Sequence, residues 1–265
     1  MQALAPFPLA TSPEMRRIED VNLVLITEAE AVTGLPAEDP RTHHLLRTVG
    51  LRVGDNFHVG IANARRGIAK VLDTTPILKF SVHWEHHVQR TLPLTVLVGL
   101  PRPQTAKKVL HDLASLGAAR LIFFEAEKGD PGYLASSLWK DGEWTEHVLR
   151  GTEQACSTLV PEVVRVDSLA EAIALTDRHA WRVALDPYEA TGPIESAPPE
   201  SFAAVLAIGP ERGWSETERS VLRAARFELH HLGDRILRVE AACLVGGALM
   251  LSRLNTWESH RPLAE

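Results

Sequence analysis

Two short stretches near the end of the chain hold the residue types best able to do chemistry. Gly209-Pro210-Glu211-Arg212-Gly213 stops an apolar run that extends from Ala203 to Ile208. Gly233-Asp234-Arg235-Ile236-Leu237-Arg238-Val239-Glu240 follows a second short strand that breaks at Gly233. Glycine permits close backbone approach or positive φ, and Pro210 stiffens its turn. Two strand ends so close together suggest two loops that meet over one pocket. In the second loop, arginines and a glutamate flank Ile236 and Leu237, which read as buried, in a stretch too short to hide them all. The pattern predicts a ligand held by loop backbone, with guanidinium and carboxylate groups beside it. Taken alone, Gly-Pro-Glu is equally a plain strand-to-helix connection, and the charged loop equally an ion-paired helix start.

The bulk properties narrow the ligand class only a little. With 265 residues, 45% hydrophobic and 23% charged, the chain is an ordinary globular protein of one or two domains. No apolar run is long enough to span a bilayer and no signal-peptide pattern is present, which predicts a cytoplasmic location. A net charge of −6 argues against gripping nucleic acid with the whole surface but leaves room for a local basic groove. Neither GxGxxG nor GxxxxGK[ST] occurs, which speaks against the usual dinucleotide and P-loop sites. Cys156 and Cys243 make no disulfide framework and are expected as small buried hydrophobes. His43, His44, His83, His86 and His87 match no zinc spacing, and no metal is expected.

The elements that must carry these loops fall into two styles. The Pro-rich segment 1–20 contains Arg16-Arg17, either a loosely held terminus or a basic arm over a substrate. Val21 to Thr27 reads as a strand and Asp39 to Val49 as a short helix with Pro40 in its first turn. Val- and Ile-rich segments around FHVGI, GIAKVL and ILKFSVHW, separated by Gly, Asn or Pro, predict a small antiparallel barrel or sheet.

After Arg90, strands alternate with helices, which predicts an α/β domain on a mostly parallel sheet. The strands are Leu92 to Leu100, Leu121 to Phe124, Val163 to Val166, Trp181 to Asp186 and Ala203 to Ile208. Helices are read at Pro103 to Gly117, Gly142 to Ser157 and Leu169 to Leu175, and Ser215 with Glu218 forms a capping box that opens another. Gly192 to Pro199 reads as a Pro-rich loop only. The domains are thus expected at 1–90 and 91–265. Ligands of such sheets sit beyond the carboxyl ends of the strands, which here carry Asp186-Pro187, Gly209-Pro210 and Leu232-Gly233. Gly246-Gly247 in the closing helix suggests close contact with another backbone, such as a subunit interface. Arg102, Lys107, Lys108 and Arg120 form a basic cluster near the first α/β unit.

The segments LAIGPERGW, LGDRILRVEAA, EQACSTLVPEV and HHLLRTVGLRVGD together resemble the ribosomal RNA uracil-N3 methyltransferase family of the SPOUT superfamily, which modifies small-subunit (16S) rRNA. The resemblance runs over nearly the full chain. It implies an N-terminal PUA-like β-barrel that binds RNA, and a C-terminal α/β SPOUT domain with a deep trefoil knot. It also implies an S-adenosylmethionine site in a homodimer. Gly209, Pro210, Glu211 and Gly213 then match one cofactor loop with Ile208 and Asp186 beside it. Leu232, Gly233, Ile236 and Leu237 match the other. Arg16, Arg17, Arg102, Lys107, Lys108 and Arg212 become the expected RNA contacts. The chain departs from the family's usual residues at Arg212, Ala241, Asp112, Ser115 and Ser157.

Under that resemblance Arg238 is expected to stabilise a developing uracil anion, with Glu240 orienting it or accepting the N3 proton. Two alternatives stay open from sequence. One is a non-catalytic RNA-binding or assembly factor that kept the fold, and the other is a methyltransferase with a different RNA target.

Overall fold

The structure, a computed structural model, describes residues 22–86, 90–194 and 201–256. Arg16, Arg17 and His87 lie outside the described residues. The chain divides into two compact units, 1–88 and 89–265.

In the first unit, strands β1 (Val24–Leu25), β2 (Leu35–Pro36), β3 (Asn56–Gly60), β4 (Arg66–Asp73) and β5 (Ile77–Trp84) form one sheet in the order β1-β3-β4-β5-β2. The expected strand from Val21 to Thr27 contracts to two residues, because helix α1 (Glu28–Thr33) starts at once behind a Thr27–Glu30 capping box. The sheet is not wholly antiparallel, since β1 runs parallel to β3. The helix read after Asp39 is α2 (Pro40–His43), which tightens into a π-helical turn over His44–Val49 and ends at Gly50 in the left-handed region. Arg41 holds this corner together, donating to Glu30, Asp39 and the Leu25 carbonyl at 2.5–3.2 Å. The Arg41 guanidinium keeps both carboxyls below their ordinary range.

The second unit is built on a seven-stranded sheet ordered β10-β12-β9-β11-β6-β7-β8. Its strands are β6 (Leu92–Gly99), β7 (Ala118–Phe124), β8 (Glu162–Val166), β9 (Trp181–Leu185), β10 (Gly192–Pro193), β11 (Ala204–Ile208) and β12 (Glu228–His231). Every neighbouring pair is parallel. Gly192-Pro193, read as loop, pairs with His230 and His231 as a short edge strand. Such an edge suits proline, whose missing N–H leaves no ladder bond broken.

Both faces of this sheet are covered, so its central strands β6 and β11 are apolar at nearly every position. Leu94, Val96, Val98, Leu206 and Ile208 point to one side. That side is covered by α3 (Pro103–Leu116), α4 (Ser137–Lys140), α5 (Trp144–Gln154) and α8 (Val239–Arg253). Leu97, Val205, Ala207 and Ala184 point to the other side, under α6 (Leu169–Ala174) and α7 (Glu216–Ala224). The alternation is the period of two that a strand dictates. A single-turn 3₁₀ helix over Pro131–Ala135 and α4 occupy the stretch before α5 to which the sequence assigned no element.

Two small-residue readings are corrected by the packing. A Cβ at Gly246 would lie 3.0 Å from Leu185 and 3.1 Å from Leu206, and one at Gly247 would lie 2.9 Å from Leu116. The glycines therefore seat α8 on leucines of its own sheet and of α3, and they do not face a second subunit or a backbone. Cys243 is fully buried, whereas Cys156 is only half-buried in a left-handed turn after α5, with φ of 49°.

Candidate functional site

The carboxyl ends of β9, β11 and β12 open into one cleft of about 510 Å³. Each residue assigned to the methyl-donor loops lines it: Asp186, the stretch from Ile208 to Gly213, and Leu232, Gly233, Ile236 and Leu237. Arg238 and Glu240 line it too, as do Arg102, Lys108 and Arg212. Lys107 does not. Its ammonium lies 3.3 Å from Glu143 at the foot of α5. Arg120 pairs with Glu162 at 2.6 Å in the adjacent strand, away from the cleft.

The first loop is fixed from beneath. Gly213 adopts φ of 68°, which L side chains rarely tolerate, and it closes a turn on the Pro210 carbonyl at 2.8 Å. That turn drops Trp214 into the core, where it stacks on Phe124 with ring centroids 6.0 Å apart. The Trp214 indole N–H donates to the Leu185 carbonyl at 2.8 Å and so ties the end of β9 to the loop after β11. The capping box opening α7 is as the sequence predicts, and the Glu218 carboxylate also accepts the Glu127 N–H at 3.0 Å.

Asp186 is deeply buried and its carboxylate is taken up by Arg219 of α7. The same carboxylate accepts the Tyr188 N–H at 2.9 Å, which sets the turn that brings Tyr188 to the cleft edge. Sequence reasoning missed Arg219, Trp214 and Tyr188. Trp214 closes the GPERGW motif and was within reach. Arg219 sits one turn into an ordinary-looking helix, and only the fold reveals its partner 33 residues away.

The second loop differs from expectation. Ile236 is 75% exposed and Leu237 38% exposed, so neither is buried. Their side chains line an open cleft instead of packing into a core, and an apolar pattern cannot separate these two fates. Gly233, with φ of 100°, donates its N–H to His231 Nδ1 at 3.0 Å and turns the chain out of β12. Arg238 occupies the N-cap position of α8 with extended backbone, makes no side-chain capping bond and is exposed at the rim.

Glu240 stands one residue inside α8, with its carboxylate 3.2 Å from Lys108 Nζ of α3. Burial alone would raise its pKa. A hydrogen bond from its own backbone N–H and the Lys108 ammonium outweigh that, and the carboxyl lies below its ordinary range. The group is thus an ionised, committed carboxylate at neutral pH.

Three of the residues that depart from the family pattern make local hydrogen bonds. Ser115 donates to the Gly151 carbonyl at 2.9 Å, Ser157 accepts the Leu159 N–H at 3.0 Å, and Asp112 lies 2.9 Å from His111 Nδ1. Among the described residues no cluster of three or more His, Cys, Asp or Glu is placed to hold a metal, and no helix is long and apolar enough to cross a membrane.

A doubly covered parallel sheet with a loop-built cleft at its carboxyl edge defines a ligand-binding α/β domain, and the comparisons with known proteins give its family. Residues 88–251 match the RNA methyltransferase domain family. Ribosomal RNA small subunit methyltransferase E of Treponema pallidum is 31% identical over 252 residues, covering 91% of this chain and 95% of the relative. A relative from Borreliella burgdorferi, ribosomal RNA small subunit methyltransferase E 1, is 27% identical over 237 residues, covering 88% and 99%. The solved structure of the methyltransferase E from Neisseria gonorrhoeae bound to S-adenosyl methionine shares the fold at a TM-score of 0.71. It is 20% identical and covers 88% of this chain and 97% of that one. The chain belongs to the RNA methyltransferase family.

Proposed function

We propose that this chain transfers a methyl group from S-adenosylmethionine to N3 of a uridine in 16S rRNA. The observation that carries the reading is the convergence of the 208–213 and 232–238 loops with Asp186 on one cleft, with Arg238 at its rim. The names of the relatives, ribosomal RNA small subunit methyltransferases, support the choice of RNA. A cytoplasmic location accords with that substrate.

The residues present fit the methyl donor. Leu185, Ile208, Ile236 and Leu237 offer apolar walls to a nucleoside, and loop backbone alternates with them. The Glu211 and Glu240 carboxylates border the same space and suit a sulfonium cation, whereas the buried Asp186 carboxylate is neutralised by Arg219 and serves to hold the 186–188 turn. Held there, S-adenosylmethionine would supply an electrophilic methyl for uracil N3, with its sulfonium sulfur as the leaving group.

The chain's own residues do the rest. The cleft walls orient the base so that N3 approaches in line, which supplies much of the rate. Arg238 faces the base carbonyls and stabilises the negative charge that grows as the N3 proton leaves to water at the open rim. Glu240, held ionised by Lys108, is a weak base and instead fixes the first turn of α8 under Arg238. Ser115, Ser157 and Asp112 serve local structure, so their departure from the family pattern gives little support to a non-catalytic factor.

The finer architecture belongs to the same proposal. Strand β11 enters the sheet between β9 and β6, an order that supports a trefoil knot in the second unit. The small five-stranded sheet of the first unit supports a PUA-like RNA-binding role. The outer face of α8 exposes Leu244, Val245 and Leu249 and supports a homodimer.

The test is Arg238→Ala assayed on purified small ribosomal subunits. We expect methylation to fall by about 100-fold, the scale of losing one donor to a developing anion, with affinity for S-adenosylmethionine kept. Methylation at the parental rate overturns the assignment.

A further inference from the structure

Beside the cleft lies a second, smaller crevice of about 110 Å³, to whose Lys128, Asp130 and Tyr133 the methyl-transfer reading gives no part. It is shaped by Arg102, Glu211 and Arg212, which it shares with the cleft, and by Lys128, Asp130 and Tyr133. We propose that this crevice seats the RNA phosphodiester next to the target nucleotide, with Lys128 as its principal cation.

The order of strands gives the first argument. The cleft lies over the ends of β12, β9 and β11, and the crevice over the ends of β11, β6 and β7. The two form one row along the carboxyl edge of the sheet. A nucleotide whose base enters the cleft must lead its backbone out along that edge or away from the protein.

Charge gives the second. Three cations, Arg102, Lys128 and Arg212, face two carboxylates, Glu211 and Asp130. Glu211 accepts the Arg102 N–H at 3.0 Å and lies 3.5 Å from the Arg102 guanidinium, so those two charges offset each other, while Asp130 accepts the Gly132 N–H at 2.8 Å. Lys128 and Arg212 then outnumber the remaining carboxylate. The crevice therefore presents net positive charge to an incoming group, in a chain whose overall charge is −6.

Placement gives the third. Lys128 follows β7 in the turn closed by the Gly129 N–H on the Ala126 carbonyl at 2.8 Å. Its ammonium donates to the Trp214 carbonyl at 2.7 Å, which pins an exposed lysine over the crevice and leaves two N–H donors for a ligand. Fixing the ammonium beforehand spares the entropy that a free lysine loses on binding.

The inference rests on the proposed action on RNA, and its experiment separates the two. Lys128→Gln keeps a donor for the Trp214 carbonyl and removes the charge. Binding to 16S rRNA is measured across a salt series, with calorimetry of S-adenosylmethionine on the same preparations. The variant is expected to bind RNA about fivefold more weakly at low salt and to lower the slope of log affinity against log salt by about 0.7–0.9, one phosphate's worth. Its KM for small ribosomal subunits rises while affinity for S-adenosylmethionine stays as in the parent. An unchanged salt slope overturns the crevice and leaves methyl transfer standing. A parent chain that binds no S-adenosylmethionine overturns methyl transfer, and one that binds no RNA overturns both.

Discussion

Lys108 Nζ lies 3.2 Å from Glu240 Oε1, joining α3 to the first turn of α8 at the edge of the cleft. Because the folded pKa of Glu240 lies below the ordinary 4.5, its ionisation stabilises the fold. That contribution is complete above about pH 4.5 and is lost as pH falls through the folded value. Lys108 is 58% exposed, so the pair is worth less than about 1 kcal/mol. Glu240→Gln should lower the urea midpoint slightly at neutral pH, by an amount that shrinks as pH falls below 4.5. A deficit that stays the same size as pH falls would show that packing, not charge, is what Glu240 provides.

The pairing of Arg219 with Asp186 is of another kind, since their side chains are 11% and 0% exposed. Removing one partner leaves a buried charge uncompensated, which costs about 3–5 kcal/mol. Arg219→Ala is expected to lose that stability and to weaken S-adenosylmethionine binding through the displaced 186–188 turn. Adding Asp186→Asn should recover part of the stability. If the two changes are simply additive in denaturation, the residues act independently.

At the crossing of α3 and α5 there is no room for a side chain. A Cβ on Gly151 would stand 2.1 Å from the His111 carbonyl oxygen. Gly151→Ala must push the helices apart and should cost about 2–3 kcal/mol. Ser115→Ala, which removes only the hydroxyl bonded to the Gly151 carbonyl, should cost about 1 kcal/mol. Equal losses in thermal unfolding would contradict this account of the contact.

Leu244, Val245 and Leu249 lie on the side of α8 opposite Cys243, Gly246 and Met250, and are 37–41% exposed. If that face is the homodimer contact, Leu244→Glu should shift the light-scattering mass from dimer to monomer with little change in the unfolding midpoint. A mass unaffected by the substitution moves the contact elsewhere.

The second unit was readable in sequence because a doubly covered strand must be apolar almost throughout. Leu92 to Leu100 and Ala203 to Ile208 announce themselves in that way. The Ser215–Glu218 box and Gly117 marked helix ends through local chemistry alone, and the structure places both as expected. Where the decisive partner is distant, the sequence was silent. Nothing around Arg219 points to Asp186, and nothing around Gly246 tells its own leucines from those of another chain. Ile236 and Leu237 misled for a related reason, since lining a cleft and filling a core need the same side chains. In the first unit, the brevity of β1 and its parallel pairing with β3 leave no periodic signal at all.

The strand order also has a consequence for how the chain is made. Residues leave the ribosome from the amino end, yet β9 gains one of its two neighbours, β12, only after residue 228. A product arrested earlier presents β9, with Val183 and Ala184 fully buried in the finished fold, as an unpaired apolar edge. Chains terminated before β12 should therefore aggregate more readily than chains that carry it, and they lack the 232–240 side of the cleft.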